Sequence, residues 1–122
     1  MSGVRSYFTA LRVSGRFGHA SNLERTGQAD EALRVAREAL SRLRAPHVVR
    51  SNPAEASLLV NLTVLIERLS VKLQQPGVGE ADLREALEAL DRLGEHGSPS
   101  MRQMRAEWIP FLRSRLQNSH GT

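Results

Sequence analysis

The sequence predicts an all-α fold of about five antiparallel helices. Apolar residues recur at helical spacing in several segments of the 122-residue chain, and no segment shows the two-residue alternation of a strand. Pro and Gly lie between these segments, as is typical of the points where helices end. Much of the second half of residues 26–43 also returns, shifted by fifty positions, at residues 82–93, which indicates that one helical segment is used twice.

The first predicted helix begins near residue 4. Its apolar residues fit a helical stripe, made of Val4, Tyr7, Phe8, Leu11, Ala20 and Leu23. Gly15 and Gly18 lie in the middle of this segment, and each weakens a helix by roughly 1 kcal/mol relative to Ala. We therefore expect the helix to bend or break near these two residues.

The second predicted helix covers residues 30–44 and is strongly amphipathic. Projected with the period of an α-helix, its apolar side chains occupy one arc, made of Ala32, Leu33, Val35, Ala36, Ala39, Leu40 and Leu43. The charged side chains occupy the opposite arc. This segment is therefore expected to bury one side and to expose the other.

The third predicted helix has a clear start signal. Asn52 can cap the helix, Pro53 fits its first position, and Glu55 can reach back toward the cap. The helix is expected to continue to about Gln75. Its apolar residues cover most of its circumference, so we expect it to be contacted on several sides and to lie at the centre of the fold.

Two further helices complete the prediction. Residues 82–93 repeat the apolar arc of the second helix. The last helix, at residues 99–117, is amphipathic and contains Pro110, which is expected to kink it or to end its first part. All five helices are expected to form one domain, residues 1–118, followed by a tail at residues 119–122.

The doubled segment resembles the tetratricopeptide repeat, which stacks helix-turn-helix pairs. In that family a Gly lies at the turn and small residues lie where the two helices of a pair touch. The matching residues here are Gly27, Ala32, Ala36 and Ala39, with Ala20 and Leu23 in the preceding helix. The resemblance covers about residues 13–93 and implies two pairs, at about 4–44 and 53–94, closed by a capping helix at 99–117. Another five-helix bundle is the alternative, because Ala and Leu at helical spacing also fill such bundles.

The resemblance also implies a concave groove, made mainly by the first helix of each pair and suited to holding a segment of another protein. By the family's register, the groove-facing residues are Phe17, Ser21, Glu24 and Arg25 from the first pair and Val64, Glu67, Arg68 and Val71 from the second. Arg68 supplies a basic group to this groove. Glu67 beside it opposes an acidic ligand.

The charge of the chain favours an acidic partner. The formal net charge is +4, and Arg34, Arg37 and Arg44 share one edge of the second helix, where they are candidate contacts for such a partner. Nucleic acid is the alternative partner, because arginines bind phosphates. Acidic residues are interleaved on the same helices, however, and apart from Tyr7 and Phe8 the aromatic residues lie at core-like positions.

No set of residues points to catalysis, a cofactor or a metal. The chain has no Cys, which excludes thiolate metal sites and Cys nucleophiles and favours a reducing cytoplasm. Its four His residues are widely spaced, and none forms a ligand pair at helical spacing. The most apolar run, residues 58–73, is too short and too often interrupted by charges to span a bilayer. We therefore predict no enzyme, no cofactor, no metal and no membrane partner.

These observations lead to one expected role and two alternatives. The expected role is a non-catalytic, cytoplasmic module that binds one dedicated protein partner, for example an immunity protein that neutralises a toxin, or a small chaperone or adaptor. Every Lys or Arg position except Lys72 is Arg, and Ala and Leu are abundant, which suggests a bacterial genome rich in GC codons. The alternatives are a helical protein that binds nucleic acid through its Arg-rich faces, and a homodimer formed through an open end of the stack.

Overall fold

The computed structural model describes residues 2–95 and 99–120 of the chain. They form five α-helices: α1 (Ser2–Arg25), α2 (Ala29–Leu43), α3 (Pro53–Leu73), α4 (Glu80–Glu95) and α5 (Pro99–His120). Over these residues no strand occurs, which confirms the predicted all-α class. Of the tail expected at residues 119–122, the first two residues continue α5, and the last two lie outside the described residues.

Helix α3 lies at the centre of the fold, as its sequence predicts. It contacts each of the other four helices. Leu59, Leu62, Leu65 and Leu69 of α3 are at most 1% exposed. Burying each such side chain contributes about 2 kcal/mol, so the central helix supplies a large part of the hydrophobic stabilisation.

The first three helices are arranged by contacts between distant parts of the chain. Thr9 is hydrogen-bonded to His47, just after α2, and Arg16 donates to Glu38 within α2. Helices α1 and α2 therefore form an antiparallel hairpin. Helices α1 and α3 run parallel, because the start of α1 lies near the start of α3 and the end of α1 lies near residue 68. Helices α4 and α5 then pack against each other and against α3.

Helix α2 buries the apolar arc that the sequence predicts. Its buried residues are Ala29, Ala32, Leu33, Val35, Ala36, Ala39, Leu40 and Leu43. The many Ala side chains allow α2 to approach α1 and α3 closely while still removing apolar surface from water. The choice of which side of α2 is buried therefore follows from its own sequence pattern.

A buried polar network joins the start of α1 to the start of α3. Pro53 occupies the first turn of α3 as predicted, but the side chain of Asn52 does not cap the helix. Its Nδ2 instead donates to Oε2 of Glu55 at 2.9 Å. The Ser6 hydroxyl donates to the same oxygen at 2.6 Å and accepts from the backbone N–H of Val49 at 3.0 Å. Glu55 is only 3% exposed, so these donors replace the water that its carboxylate loses.

Helix α1 is continuous through Gly15 and Gly18, so the expected bend or break is not found as a helix end. Buried side chains on the opposite face, including Val13 and Ala20, hold this part of α1 against the core. Apart from its chain neighbours and the backbone of α1 itself, a Cβ atom added at either glycine would meet no atom within 4 Å. Both glycines therefore lie on an open face of the helix. Helix α5 likewise continues past Pro110 to His120.

Replacing Gly15 or Gly18 by Ala is expected to raise the free energy of unfolding by about 0.5–1 kcal/mol each, because Ala loses less backbone entropy on folding and meets no neighbour. Urea denaturation of the purified variants measures the change. Gly27→Ala is the matched control: this glycine also has open space around it, but its φ is +81°. That conformation costs an L-residue about 1 kcal/mol, so Gly27→Ala should be destabilising. Destabilisation by the Gly15 or Gly18 substitution would contradict the open face.

Candidate protein-binding surface

Part of the predicted groove is covered by α5. Val64 and Glu67 are 3% and 1% exposed, so neither side chain is available to a partner. The Glu67 carboxylate accepts from Nε of Arg115 on α5 at 2.8 Å and from the backbone N–H of Val78 at 3.0 Å. Helix α5 therefore occupies this face of α3. Sequence periodicity could not show this position, because it depends on where a distant helix docks.

The other predicted groove residues remain at least partly exposed, and two of the charged ones, Glu24 and Arg68, are paired with each other. Both Arg68 and Val71 are exposed, whereas the α1 side chains other than Arg25 are half-buried: Phe17, Ser21 and Glu24. Nε and Nη2 of Arg68 each donate to one oxygen of Glu24 at 2.8 Å. This hydrogen-bonded pair lowers the pKa of Glu24 and raises the pKa of Arg68. An acidic ligand would have to compete with Glu24 for Arg68. The other basic residue of the predicted groove, Arg25, is exposed and donates from Nη2 to Oδ1 of Asn22 at 2.8 Å.

The Arg edge of α2 is also largely occupied. Arg34 is paired with Glu31 and Glu38 on its own helix. Nη2 of Arg37 donates to the backbone carbonyl of Pro76 at 2.7 Å. Arg44, the third residue of this edge, is paired with carboxylates of α4. The three arginine side chains therefore do not act as one basic surface.

Arg44 and Arg50 bind carboxylates in the first part of α4 and share that of Glu85. Nη1 of Arg44 lies 2.9 Å from Oε1 of Glu85, and Nε of Arg50 lies 3.0 Å from its Oε2. Arg44 also lies 2.9 Å from Asp82. Partial burial alone would raise the pKa of Glu85, but the two guanidinium groups outweigh it and hold that pKa below its ordinary value of 4.5.

The Glu85 cluster predicts a loss of stability in acid. Because the folded pKa is depressed, the ion pairs stabilise the fold above pH 4.5, and this contribution is lost as the pH falls through the folded pKa. Urea denaturation between about pH 7 and about pH 3 should show Glu85→Gln losing stability less steeply than the wild type, by no more than about 1 kcal/mol for a partly exposed pair. Identical pH slopes for the two proteins would contradict this assignment.

An apolar surface on α1 is the feature that the sequence did not resolve. Val4, Tyr7, Phe8 and Leu11 are 52%, 57%, 56% and 51% exposed and follow one another along one side of the helix. We call these four residues the α1 stripe. The rings of Tyr7 and Phe8 contact each other edge to face, with centroids 5.9 Å apart. The sequence pattern combined the stripe with Ala20 and Leu23.

The combined pattern in fact contains two faces of one helix. Ala10, Val13, Ala20 and Leu23 form the buried face, and each is at most 8% exposed. Helical projection places the α1 stripe opposite to them. The sequence does contain a signal that could have separated the two faces. Ala10 and Val13 form a second apolar series with Ala20 and Leu23, and this series marks the core face without the aromatic residues. Trp108, in contrast, is half-buried and packs against the core.

A small basic pocket adjoins the α1 stripe. It has a volume of about 200 Å³ and is lined by Thr9, Arg12, Val13, Arg42, Ala45 and His47. The Thr9 hydroxyl and Nε2 of His47 share a hydrogen bond of 2.7 Å. Arg12 lines this pocket and directly follows Leu11 of the stripe in the chain. An apolar face and a site suited to a carboxylate or phosphate are therefore neighbours on the same helix.

The remaining observations limit the chemistry of the surface. Within residues 2–95 and 99–120, no group of three or more His, Cys, Asp or Glu side chains is placed to hold a metal ion. None of the helices in that part of the chain combines the length and the apolar character needed to cross a bilayer. Comparison of the chain with protein-family models, with curated proteins and with solved structures finds no match.

Proposed function

We propose that this chain is a non-catalytic interaction module that binds a dedicated protein partner through the α1 stripe. The carrying observation is that four large apolar side chains, each more than half exposed, lie together on one helix face. Clustered apolar surface of this kind is unfavourable in water and is typical of interaction sites. Aromatic side chains such as Tyr7 and Phe8 also supply much of the binding energy where they occur at protein interfaces.

The charge around the stripe supports a partner with an acidic surface. The exposed Arg5 and Arg12 lie beside the stripe, and the formal net charge of the chain is +4. Opposite charges on two partners increase their association rate and select against partners of the same sign. A bacterial, cytoplasmic role as an immunity protein, a small chaperone or an adaptor is the biological setting that we propose.

A tetratricopeptide-like arrangement remains part of this proposal. It is supported by the parallel course of α1 and α3 and by the antiparallel helix that follows α1. In this arrangement the covered groove over Glu67 gives the binding role to the outer face of α1. Nucleic acid is the less favoured partner, because Arg34, Arg44 and Arg68 are paired with carboxylates.

The proposed function is tested by substituting the stripe. After crosslinking in the native host identifies a partner, the affinity of the purified pair is measured with Leu11→Asp. The variant should bind at least about 30-fold more weakly, because a charge in an apolar contact costs about 2 kcal/mol or more. Its free energy of unfolding should change by less than about 0.5 kcal/mol, as the site is exposed.

Val71→Asp is the matched control for this experiment. Val71 is 52% exposed, almost the same as Leu11, but it lies on α3 outside the stripe. It should leave the affinity unchanged. Equal binding by wild type and Leu11→Asp, or an equal loss with Val71→Asp, would remove the stripe as the binding surface. A steep salt dependence with DNA or RNA as the ligand would instead support the nucleic-acid alternative.

A further inference from the structure

The two flanks of the α1 stripe differ in charge. Arg5 and Arg12, two helical turns apart, lie on the flank toward α2. Both are exposed, and neither side chain makes a hydrogen bond or an ion pair with the described residues. The other flank carries the uncharged Ser14 beside the stripe, and Ser21 and the exposed Arg25 lie on it beyond Gly18. Over the length of the stripe itself, a ligand would therefore meet free positive charge along one side only.

The basic pocket adds to the charge of the same flank. Arg42 at its edge lies 3.4 Å from Oε1 of Glu38. The Glu38 carboxylate is shared with Arg16 at 3.0 Å and with Arg34 at 3.4 Å. One carboxylate therefore faces three guanidinium groups in this region, and Arg34 has Glu31 as a second partner. The pocket retains an excess of positive charge that an incoming carboxylate can neutralise.

The shape of the α1 face fits a helix. Beyond Leu11, the same face continues through Gly15 and Gly18, where a β-carbon added to either residue would have no neighbour within 4 Å. From Val4 to Gly18 the face is about 21 Å long, which is about four helical turns. Bare backbone at its far end allows another helix to approach closely. A lipid surface would gain no apolar contact from those two glycines.

We propose that the occupant of the α1 stripe is an amphipathic helix of the partner that carries a row of carboxylates beside its apolar row. This inference rests on the proposed function. The apolar row packs on the stripe and over the two glycines, as in other helix-in-groove complexes. The carboxylates lie toward Arg5 and Arg12, and one of them enters the pocket between Arg12 and Arg42.

The test uses two synthetic helical peptides of about four turns. Both carry Leu along one face, and they differ only in having Glu or Gln along one flank. Fluorescence anisotropy should show the Glu peptide binding about tenfold more tightly than the Gln peptide, as expected for charge complementarity at an interface. Arg12→Gln should remove most of this difference. Arg102→Gln, an exposed arginine on α5, is the matched control and should preserve it.

Gly15→Gln tests the close approach of the helix. Its side chain fits the open space of the free protein, so the variant should fold as the wild type does by circular dichroism and thermal unfolding. It should bind both peptides at least about tenfold more weakly, since the backbone of α1 is no longer accessible. Unchanged peptide affinity for a folded Gly15→Gln variant would overturn the helical occupant.

Other outcomes separate this inference from the proposed function. Equal binding of the Glu and Gln peptides, lost with Leu11→Asp, would overturn the acidic partner while supporting the stripe as a binding surface. Binding of neither peptide would overturn the helical occupant, and the affinity of the crosslinked host partner would then decide the proposed function separately. Preferential binding to phosphatidylglycerol vesicles would replace the partner by a lipid surface. If light scattering shows a dimer of the wild type and a monomer of Gly15→Gln, the occupant of the stripe would be a second copy of the chain and not a partner helix.

Discussion

Replacement of Arg115 by Ala is expected to lower the free energy of unfolding by about 3 kcal/mol. The substitution leaves the carboxylate of Glu67, which is 1% exposed, with the backbone N–H of Val78 as its remaining donor. Arg115 itself is only 24% exposed in its side chain, so water does not already screen the pair fully. A β-carbon at Gly77 would overlap the Glu67 carboxylate, which shows how closely that group is enclosed.

Urea denaturation with linear extrapolation measures the effect of Arg115→Ala. Arg113→Ala is the control, because Arg113 is an exposed arginine on the same helix, and it should change stability by less than about 0.5 kcal/mol. The double variant Glu67→Leu with Arg115→Leu should be at least about 1 kcal/mol more stable than Arg115→Ala, since no unpaired charge remains buried. A double variant no better than Arg115→Ala would show that the penalty comes from lost packing.

Leu112→Ala is expected to destabilise the protein by about 3 kcal/mol. Leu112 is 0% exposed and is the anchor that α5 inserts into the core, while its neighbours Phe111 and Leu116 are only partly buried. Truncation removes apolar contacts and leaves a cavity that α5 cannot fill without moving. The lost stability should appear first as local opening of α5, because Leu112 belongs to that helix. Opening of α5 would also uncover Glu67.

Hydrogen exchange distinguishes local opening from global unfolding in Leu112→Ala. Amides of α5 should exchange faster than in the wild type, while amides in the centre of α3 keep more of their protection. Leu116→Ala is the control, and its smaller buried surface should give a smaller change. Uniform acceleration across α3 and α5 would show that the final helix unfolds only together with the rest of the domain.

The elements that could be predicted are those whose packing follows from their own periodicity. The buried arc of α2 and the central position of α3 both result from local patterns of apolar residues. The start of α3 at Pro53 was predicted from an equally local signal, since proline is accepted in a first helical turn. The continuity of α1 through Gly15 and Gly18 was not predicted. Contacts on the opposite face of the helix outweigh the weak helix propensity of these two glycines.

The candidate surface was harder to predict, because it depends on contacts between distant residues. Arg68 was expected to offer a free basic group, but the parallel packing of α1 and α3 brings Glu24 to it. Glu67 was expected in an open groove, but the docking of α5 buries it. Predicting that the α1 stripe is exposed would have required knowing that no described helix packs over Tyr7 and Phe8.

The open glycines of α1 have a consequence for protein engineering. A screen for thermal tolerance would select Ala at positions 15 and 18 early, because no atom opposes a methyl group at either position. If a partner helix occupies this face, the same screen would fix the changes that spoil recognition. Mutational scanning by heat resistance and by partner retention should then rank these two positions in opposite order. Such inversions identify residues that are maintained by selection for binding at the expense of thermal tolerance.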